Sequence, residues 1–269
     1  VVNAVGYETS AKFLEDIGIT TLTKDDMNPA ALGLGGMTKG LKPIESAGAY
    51  ATIASGGVYN KPTTINQILN KNDEVIYDLS KNYSKRVFDE GTAYIMTDML
   101  KGVVTSGTGS RARLYGGNTT IPVAGKTGTT TDNYDAWFCG YTPYYTASLW
   151  IGNDVNIELT NGSGVAAQLW SKIMKQVHEG YEAKNWEKPD SVYVGSVKTQ
   201  QGTISELFVE GTNPPKYTGG GKQAVTICND TGLLATDTCP STRTLTDTEA
   251  APSQSCTLHP STVNGGTPL

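Results

Sequence analysis

The chain has 269 residues, a formal net charge of −5 at pH 7 and 31 glycines, a length that suits one core or two small domains. The negative charge argues against nucleic-acid binding and against a polybasic membrane-binding patch. We find no apolar run long enough to predict a membrane span and no signal-peptide pattern. Because the chain opens on Val rather than Met, we expect a fragment or processed piece of a longer protein.

The first part of the chain predicts helices with a hairpin between them. A helical pattern over 7–17 stops at Gly18. A second helix begins at Pro43, and the small residues along it allow another element to pack closely. Two β-rich runs, 63–69 and 74–78, flank a polar segment and predict a hairpin.

Three consecutive β runs form the centre of the predicted fold. They cover 121–129, 136–142 and 146–152 and predict an antiparallel segment. A helix over 88–104 precedes them, and a helix over 164–179 with one apolar stripe follows. The residues of that stripe are Leu169, Trp170, Ile173, Met174 and Val177. The residues expected to face inward in the helix over 88–104 are Tyr94, Ile95, Met99, Leu100, Val103 and Val104. Helices before and after such a sheet predict an α+β fold with a helix-covered antiparallel sheet, and not a doubly wound one.

The composition changes along the chain and predicts three segments. Residues 1–180 form the main domain, and 181–222 form a closing segment that ends in a Gly-rich linker. Residues 223–269 are rich in Thr, Ser and Pro and short of large apolar side chains. We expect this tail to be a small appendage with a disordered end.

The cysteines and histidines give little sign of a metal site. Three of the four cysteines, Cys228, Cys239 and Cys256, lie in the tail, and this clustering favours an extracellular protein. Cys228 and Cys239 could close a small disulfide loop, with the pairing of all three left open. His178 and His259 are far apart and not at metal spacing from a cysteine pair. We therefore expect no zinc site.

The stretch that most suggests a functional site is Lys126-Thr127-Gly128-Thr129-Thr130. Alternation along a strand places Lys126 and Gly128 on one face and Thr127 and Thr129 on the other. Gly128 allows a ligand backbone to approach, and an edge strand can pair with an extended peptide. A cation, hydroxyls and open backbone suit a peptide that ends in a carboxylate. On these residues alone, a surface strand with a Thr-rich turn is the more economical interpretation.

Several stretches, in one order, make the chain similar to the transpeptidase domain of class A penicillin-binding proteins. Lys126-Thr127-Gly128 matches the lysine-threonine-glycine motif of that superfamily. The other family-like stretches are Leu34-Gly35-Gly36, Lys42 to Thr52, Gly56-Gly57, Val104 to Gly109, Asp135 to Pro143 and Trp150-Ile151-Gly152. Each is weak alone, but the ordered set covers roughly Val1 to Val177 and is specific.

The resemblance implies a penicillin-binding/β-lactamase-like transpeptidase fold that is incomplete at its N-terminus, with 1–180 as the C-terminal portion of the domain. The chain contains no Ser-x-x-Lys motif and hence no nucleophile of the family type. In the family, that motif and the Ser-x-Asn motif lie upstream of the region that Val1–Gly18 resembles. The glycosyltransferase domain and membrane anchor lie further upstream. We expect the missing N-terminal part to be a partner of this chain.

The resemblance also implies a reaction. In the family, a serine attacks the penultimate peptide bond of a D-alanyl-D-alanine stem peptide, and an amine of neighbouring peptidoglycan takes the acyl group. β-Lactams mimic the substrate and acylate the same serine. No cofactor or metal is needed, and the expected location is the outer face of the bacterial cytoplasmic membrane.

The resemblance assigns roles to the residues of the Lys126 strand. Lys126 would raise the local positive potential and bond toward the serine of the second motif. The hydroxyls of Thr127 and Thr129 would hold the substrate carboxylate, and Thr130 is a further substrate-binding candidate. The Thr129 N–H would complete an oxyanion hole, and Gly128 would let the substrate lie against the strand.

Two other classes of function stay open from the sequence. One is a related serine β-lactamase or a penicillin-sensing receptor domain, against which the long tail and the stretch 135–143 argue. The other is a non-catalytic wall-binding module, because the chain lacks the family's nucleophile motif.

Several single residues have structural interpretations that we prefer to functional ones. We expect Asp132, Asn133 and Asp135 to form a polar turn rather than to contact substrate at the end of the strand. We expect Cys139 to be a buried small hydrophobe. Trp137 and Phe138 point to opposite faces of a strand, so at least one should be in the core. His178, late in a helix, fits a capping cation.

Overall fold

The computed structural model describes seven stretches of the chain. They are residues 2–79, 84–114, 121–160, 162–199, 202–212, 226–245 and 254–260. The chain divides into two compact units, which are described separately. The first unit covers 1–193 and 207–212, and the second unit covers 194–206 and 213–269. The predicted Gly-rich linker at 216–222 lies outside the described residues.

The described residues of the first unit form six α-helices. They are α1 (Val2–Val5), α2 (Tyr7–Asp16), α3 (Pro29–Leu34), α4 (Pro43–Ala54), α5 (Glu90–Thr105) and α6 (Gly164–Val177). Local sequence explains where two of them begin. The Asn28 side chain accepts a hydrogen bond from the N–H of Ala31 at the start of α3, and Asp89 accepts one from Thr92 at the start of α5. Both acceptors satisfy N–H groups that the first turn of a helix leaves unpaired.

Eleven strands lie in the described residues. They are β1 (Val58–Asn60), β2 (Gln67–Leu69), β3 (Val75–Asp78), β4 (Ser84–Arg86), β5 (Ala124–Thr129), β6 (Ala136–Tyr141), β7 (Thr146–Ile151), β8 (Val192–Thr199), β9 (Gly202–Val209), β10 (Thr226–Cys228) and β11 (Thr242–Thr244). The pairs are β1 with β4, β2 with β3, β8 with β9 and β10 with β11, and one sheet has three strands. The hairpin expected within 63–78 is confirmed as β2 and β3, with shorter strands than predicted.

The predicted three-stranded antiparallel sheet is confirmed, with strand order β5-β6-β7. Its first strand begins at Ala124 rather than at residue 121. In the register, Lys126 lies opposite Cys139, which in turn lies opposite Ser148. The central strand β6 is apolar and almost wholly buried, because helices cover both of its faces.

Two apolar clusters hold these helices against the sheet. One centres on Phe138 and on Trp170 of α6, whose ring centroids are 5.1 Å apart. The Trp170 indole N–H also donates to the Ala147 carbonyl at 3.0 Å, so its polar atom is satisfied in the core. The other cluster, on the opposite face, contains Leu100 of α5 and Tyr141 of β6. Phe138 is fully buried, as expected for one of the pair Trp137 and Phe138.

The inward faces predicted for α5 and α6 were partly wrong. Met99 is 63% exposed, whereas its neighbour Leu100 is buried. In α6 only Trp170 and Met174 of the predicted stripe are buried. The exposed members are Leu169, Ile173 and Val177. Successive helical residues lie about 100° apart, so one apolar stripe can span two sides of a helix, and only the side toward the sheet is covered.

The second unit brings together residues that the sequence did not group. All four cysteines of the chain are free thiols, so the expected Cys228–Cys239 disulfide is not found. The ligand atoms of Cys228, Cys239, Cys256 and His259 lie within 4.8 Å of one another. From the sequence we expected no zinc site, but the fold brings the His259 imidazole and three cysteine sulfurs to one place.

Over the described ranges, none of the helices has both the length and the apolar character needed to cross a membrane.

Candidate functional site

Within the described residues, β5 is an edge strand of the three-stranded sheet, and its backbone presents polar groups at the open edge. The Thr130 N–H, just after β5, bonds the Asp135 carbonyl across the hairpin at 3.3 Å. Backbone groups of successive strand residues point to opposite sides. Those of Thr127 and Thr129 therefore point to the open edge. The Lys126 ammonium donates a hydrogen bond to the Thr127 carbonyl at 2.8 Å, which is consistent with a position of this carbonyl at the open edge.

The side chains of the predicted site differ in their exposure. Lys126 and Thr129 are exposed and Gly128 is half-buried. Thr127 is only 8% exposed, and its hydroxyl oxygen lies 2.7 Å from the hydroxyl of Thr108. Thr108 lies in the loop after α5, so this loop fixes the orientation of Thr127. We did not predict this contact from the sequence.

Gly128 has a packing reason as well as an expected functional one. A Cβ built at this position would lie 3.2 Å from the Cβ of Trp137, its cross-strand partner. That contact is tighter than ordinary van der Waals separation. A larger residue would therefore disturb the β5–β6 pairing and also fill the space over the strand.

The turn after β5 is built by polar side chains, which confirms the expected polar turn. The Thr130 hydroxyl donates to the Asp135 carboxylate at 3.0 Å and accepts the Asp135 N–H at 2.9 Å. The Trp150 indole N–H donates to the other carboxylate oxygen at 2.7 Å. Asp132 and Asn133 adopt left-handed backbone conformations with φ near 60°, which these residue types tolerate. The Thr130 hydroxyl is thus engaged in the turn, and its substrate-binding role stays a prediction.

A polar cavity lies at the Thr129 end of β5. Its volume is about 420 Å³, and its lining includes Thr129, Arg111, Asn133 and Ser163. Arg111 belongs to a short 3₁₀ helix, Ser110–Ala112, which follows the same loop as Thr108. A guanidinium beside exposed hydroxyl and amide groups suits a carboxylate ligand. No motif or periodicity in the sequence singled out Arg111 or Ser163.

Cys139 and His178 take structural roles. Cys139 is buried with its sulfur 3.1 Å from the Ser148 hydroxyl, and burial raises the pKa of its thiol. It is the small buried residue that we expected. His178 caps α6 through its backbone, but its ring is buried, unlike the expected capping cation. Its Nδ1 bonds the Met174 carbonyl at 2.6 Å, and its Nε2 lies 2.8 Å from the Thr142 hydroxyl.

Comparison with known families is decisive for the fold. The family model described as penicillin binding protein transpeptidase domain matches residues 2–175. The chain belongs to this family. The predicted resemblance, over roughly Val1 to Val177, is confirmed.

Named relatives support the same assignment. The chain is 37% identical to penicillin-binding protein 1A of Clostridium acetobutylicum, over 82% of its own length and 26% of the relative's. It is 35% identical to penicillin-binding protein 1A/1B of Bacillus subtilis over 80% of its own length and 24% of the relative's. The chain therefore spans about a quarter of the length of these relatives.

Solved structures of penicillin-binding proteins share the fold. PonA1 of Mycobacterium tuberculosis matches with a TM-score of 0.58 and 25% identity, over 70% of this chain and 53% of that one. Penicillin-binding protein 1A of Haemophilus influenzae matches with a TM-score of 0.63 and 17% identity, over 80% of this chain and 38% of that one. The predicted α+β transpeptidase fold is confirmed.

In the penicillin-binding family, Lys126-Thr127-Gly128 corresponds to the third of three motifs. The printed sequence contains no Ser-x-x-Lys. The letters Ser80-Lys81-Asn82 have the Ser-x-Asn spacing, but they lie outside the described residues, and we assign them no role.

Proposed function

We propose that this chain is part of a serine D,D-transpeptidase that cross-links peptidoglycan, and that its β5 strand forms one wall of the substrate site. The observation that carries the proposal is the open edge of β5, with exposed Lys126 and the outward backbone groups of Thr127 and Thr129, in a chain of the penicillin-binding transpeptidase family. Membership of the family supports the reaction, and the open edge supports the binding of an extended peptide along β5.

The substrate backbone pairs with the edge of β5 as an added strand. The Thr129 N–H, which points to that edge, forms half of an oxyanion hole with the N–H of the nucleophilic serine. Gly128 leaves space above the strand for the peptide. The substrate binds extended, because only an extended backbone matches the spacing of the strand's polar groups.

The C-terminal carboxylate of the stem peptide binds at the Thr129 end of the strand. The exposed Thr129 hydroxyl supplies a donor, and Arg111 places a positive charge in the same cavity. Thr127, held by Thr108, acts mainly by keeping the strand in register. The resemblance assigned the carboxylate to the hydroxyls of Thr127 and Thr129, whereas in this proposal it binds to Thr129 and Arg111.

Lys126 contributes positive potential beside the open edge. Its ammonium lies on the Thr127 carbonyl, a contact that it exchanges for the serine of the second motif when the complete site is assembled. The serine nucleophile and its lysine come from the rest of the protein, and the missing N-terminal part is the partner that completes the site. The substrate places the enzyme on the outer side of the cytoplasmic membrane, and β-lactams are its inhibitors.

The experiment is acylation of the full-length protein by a labelled penicillin, followed by intact-mass spectrometry. Lys126→Ala should lower the second-order acylation rate by about a hundredfold or more, the usual scale for removing one preorganised electrostatic group. Lys71→Ala, at an exposed position in the turn between β2 and β3, is the matched control and should react like the parent. Equal acylation of the two variants would refute the role of the β5 strand.

The same sample separates the two alternatives. A serine β-lactamase would lose the penicillin adduct rapidly, whereas a transpeptidase retains it. The relatives named above are penicillin-binding proteins, so they do not favour the alternative that the protein is a β-lactamase. A wall-binding module would bind peptidoglycan without any covalent adduct.

A further inference from the structure

Four side chains in the second unit converge on one point. Cys228 ends β10, and Cys239 follows a turn in which its N–H bonds the Thr236 carbonyl at 3.2 Å. Cys256 is held where its N–H bonds the Leu234 carbonyl at 2.8 Å. His259 lies three residues further along the chain. The three sulfurs and one imidazole nitrogen lie within 4.8 Å of one another, and Cys228 and Cys256 are buried.

The distances match those of a tetrahedral metal site. The Nδ1 atom of His259 lies 3.5 Å from the sulfur of Cys228 and 3.4 Å from the sulfur of Cys256. A zinc ion with bonds of about 2.3 Å to sulfur and about 2.0–2.1 Å to nitrogen separates those two ligand atoms by about 3.6 Å at the tetrahedral angle. The ligand atoms are therefore already near the separations that zinc requires.

The surroundings of the cluster also suit thiolate ligands. The Thr231 hydroxyl donates to the Cys256 sulfur at 3.3 Å, and the Thr236 N–H donates to the Cys239 sulfur at 3.3 Å. Such donors stabilise negative charge on sulfur.

A carboxylate lies on the far side of the imidazole. The Nε2 atom of His259 is 3.6 Å from the Asp230 carboxylate. If Nδ1 binds a metal, the proton resides on Nε2 and faces this carboxylate. Metal-bound histidines usually have such a partner, which fixes the tautomer and the ring orientation.

The second unit has little else to hold it together. Among its described residues, the buried apolar side chains are Ile227, Cys228 and Cys256. Small domains with so little core generally need disulfides or a metal. Three cysteines cannot all pair with one another. A single disulfide would use two of the sulfurs and would not account for the position of the third thiol and the imidazole beside them.

We propose that Cys228, Cys239, Cys256 and His259 form a structural zinc site. Three sulfurs and one imidazole are a ligand set for zinc, and four protein ligands leave no open position for a substrate. On binding, the thiols that are protonated release their protons to solvent, and His259 binds through the Nδ1 lone pair. The ion links the end of β10 to two segments that follow it, and it stabilises the second unit. This inference does not depend on the proposed transpeptidase function.

The test uses the 269-residue chain, reduced and freed of metal, and titrated with Co²⁺ and then Zn²⁺. We expect one Co²⁺ per chain, with the thiolate-to-cobalt charge-transfer band and the visible spectrum of a tetrahedral site, and displacement by one Zn²⁺. Thiol counting under denaturing conditions on protein purified without reductant should give four free thiols, matching the structure. A disulfide among the three clustered cysteines in that protein, or no metal uptake by the reduced chain, would overturn the proposal.

The variants test the ligand set. Cys256→Ser and His259→Ala should abolish the tetrahedral cobalt spectrum, whereas Cys139→Ser, which alters the cysteine of the three-stranded sheet, should retain it. Asp230→Asn should retain the spectrum but weaken zinc binding by about 10- to 100-fold. Unchanged spectra in both ligand variants would overturn the proposal. If a variant does not fold, the titration of the unaltered chain still decides.

Discussion

Gly125 provides a sharp test of how the sheet positions the candidate site, because it immediately precedes Lys126. A Cβ at Gly125 would lie 2.7 Å from the Cys139 carbonyl oxygen and 2.9 Å from the Gly140 Cα. Ordinary carbon contacts are about 3.5–4.0 Å, so Gly125→Ala must push β5 away from β6 by roughly 0.6–0.8 Å. These two obstacles are backbone atoms, so no side-chain rotation can relieve them, and the ring of the fully buried Phe138 is a third obstacle at 2.7 Å.

We expect Gly125→Ala to lower the free energy of unfolding by about 1–3 kcal/mol, the usual cost of overpacking. For a domain of this size, each kcal/mol shifts Tm by about 2–4 °C. The control is Gly102→Ala, in α5, where nothing lies within 4 Å of the added Cβ. Alanine is favoured over glycine inside a helix by about 0.5–1 kcal/mol, so this variant should melt slightly higher than the parent.

The measurement is calorimetry of the full-length protein, following the transition that bound penicillin shifts, together with the acylation rate. Gly125→Ala should lower both Tm and the rate, because the displaced strand carries the Thr129 N–H with it. Gly102→Ala should leave the rate unchanged. If the two alanine variants melt at the same temperature and acylate equally, the close β5–β6 packing does not position the site.

Three further outcomes follow from single contacts. Thr108→Val removes the hydroxyl partner of buried Thr127 and should lower the free energy of unfolding by about 1–3 kcal/mol, whereas Thr108→Ser should not; equal melting of the two variants contradicts the contact. Arg111→Gln should slow acylation by penicillin about 10- to 100-fold, the scale of one charge-assisted hydrogen bond, with an unchanged Tm; an unchanged rate would remove Arg111 from the carboxylate site. The backbone N–H and hydroxyl of Thr38 lower the pKa of the Asp26 carboxyl to about 2 from an ordinary value of 3.8. Since the folded-state pKa is the lower one, this stabilisation is present above pH 3.8 and is lost as the pH falls toward 2. Asp26→Asn should therefore show a smaller fall in Tm over that interval, and an identical fall would refute the assignment.

Much of the first unit could be predicted because its signals are local. Consecutive runs of β-forming residues predicted β5, β6 and β7, and helical patterns predicted α4, α5 and α6. Lys126-Thr127-Gly128 and the stretches around it were sufficient to indicate the family. The faces of α5 and α6 were less certain, since Met99 and Leu100 are both apolar and only packing decides which of them is buried.

The details of the candidate site depend on contacts between distant segments. Thr108 meets Thr127 across 19 positions, and Arg111 reaches the cavity beside Thr129 through the path of its loop. Periodicity describes one element at a time and carries no information about which loop passes a given strand end. The sequence could therefore identify the strand but not the side chains that complete its surface.

The cysteines show the same division most clearly. The sequence by itself determined that three of the four cysteines lie in the tail and that the tail contains too few large apolar residues for a big core. It left the partners of the three thiols open. Only the tertiary structure decided them, by turning the chain after β10 so that Cys228 and Cys239 meet Cys256 and His259. The physical reason is that chain reversals in a loop-rich segment are set by backbone hydrogen bonds between residues far apart in sequence, such as that of Cys256 with Leu234.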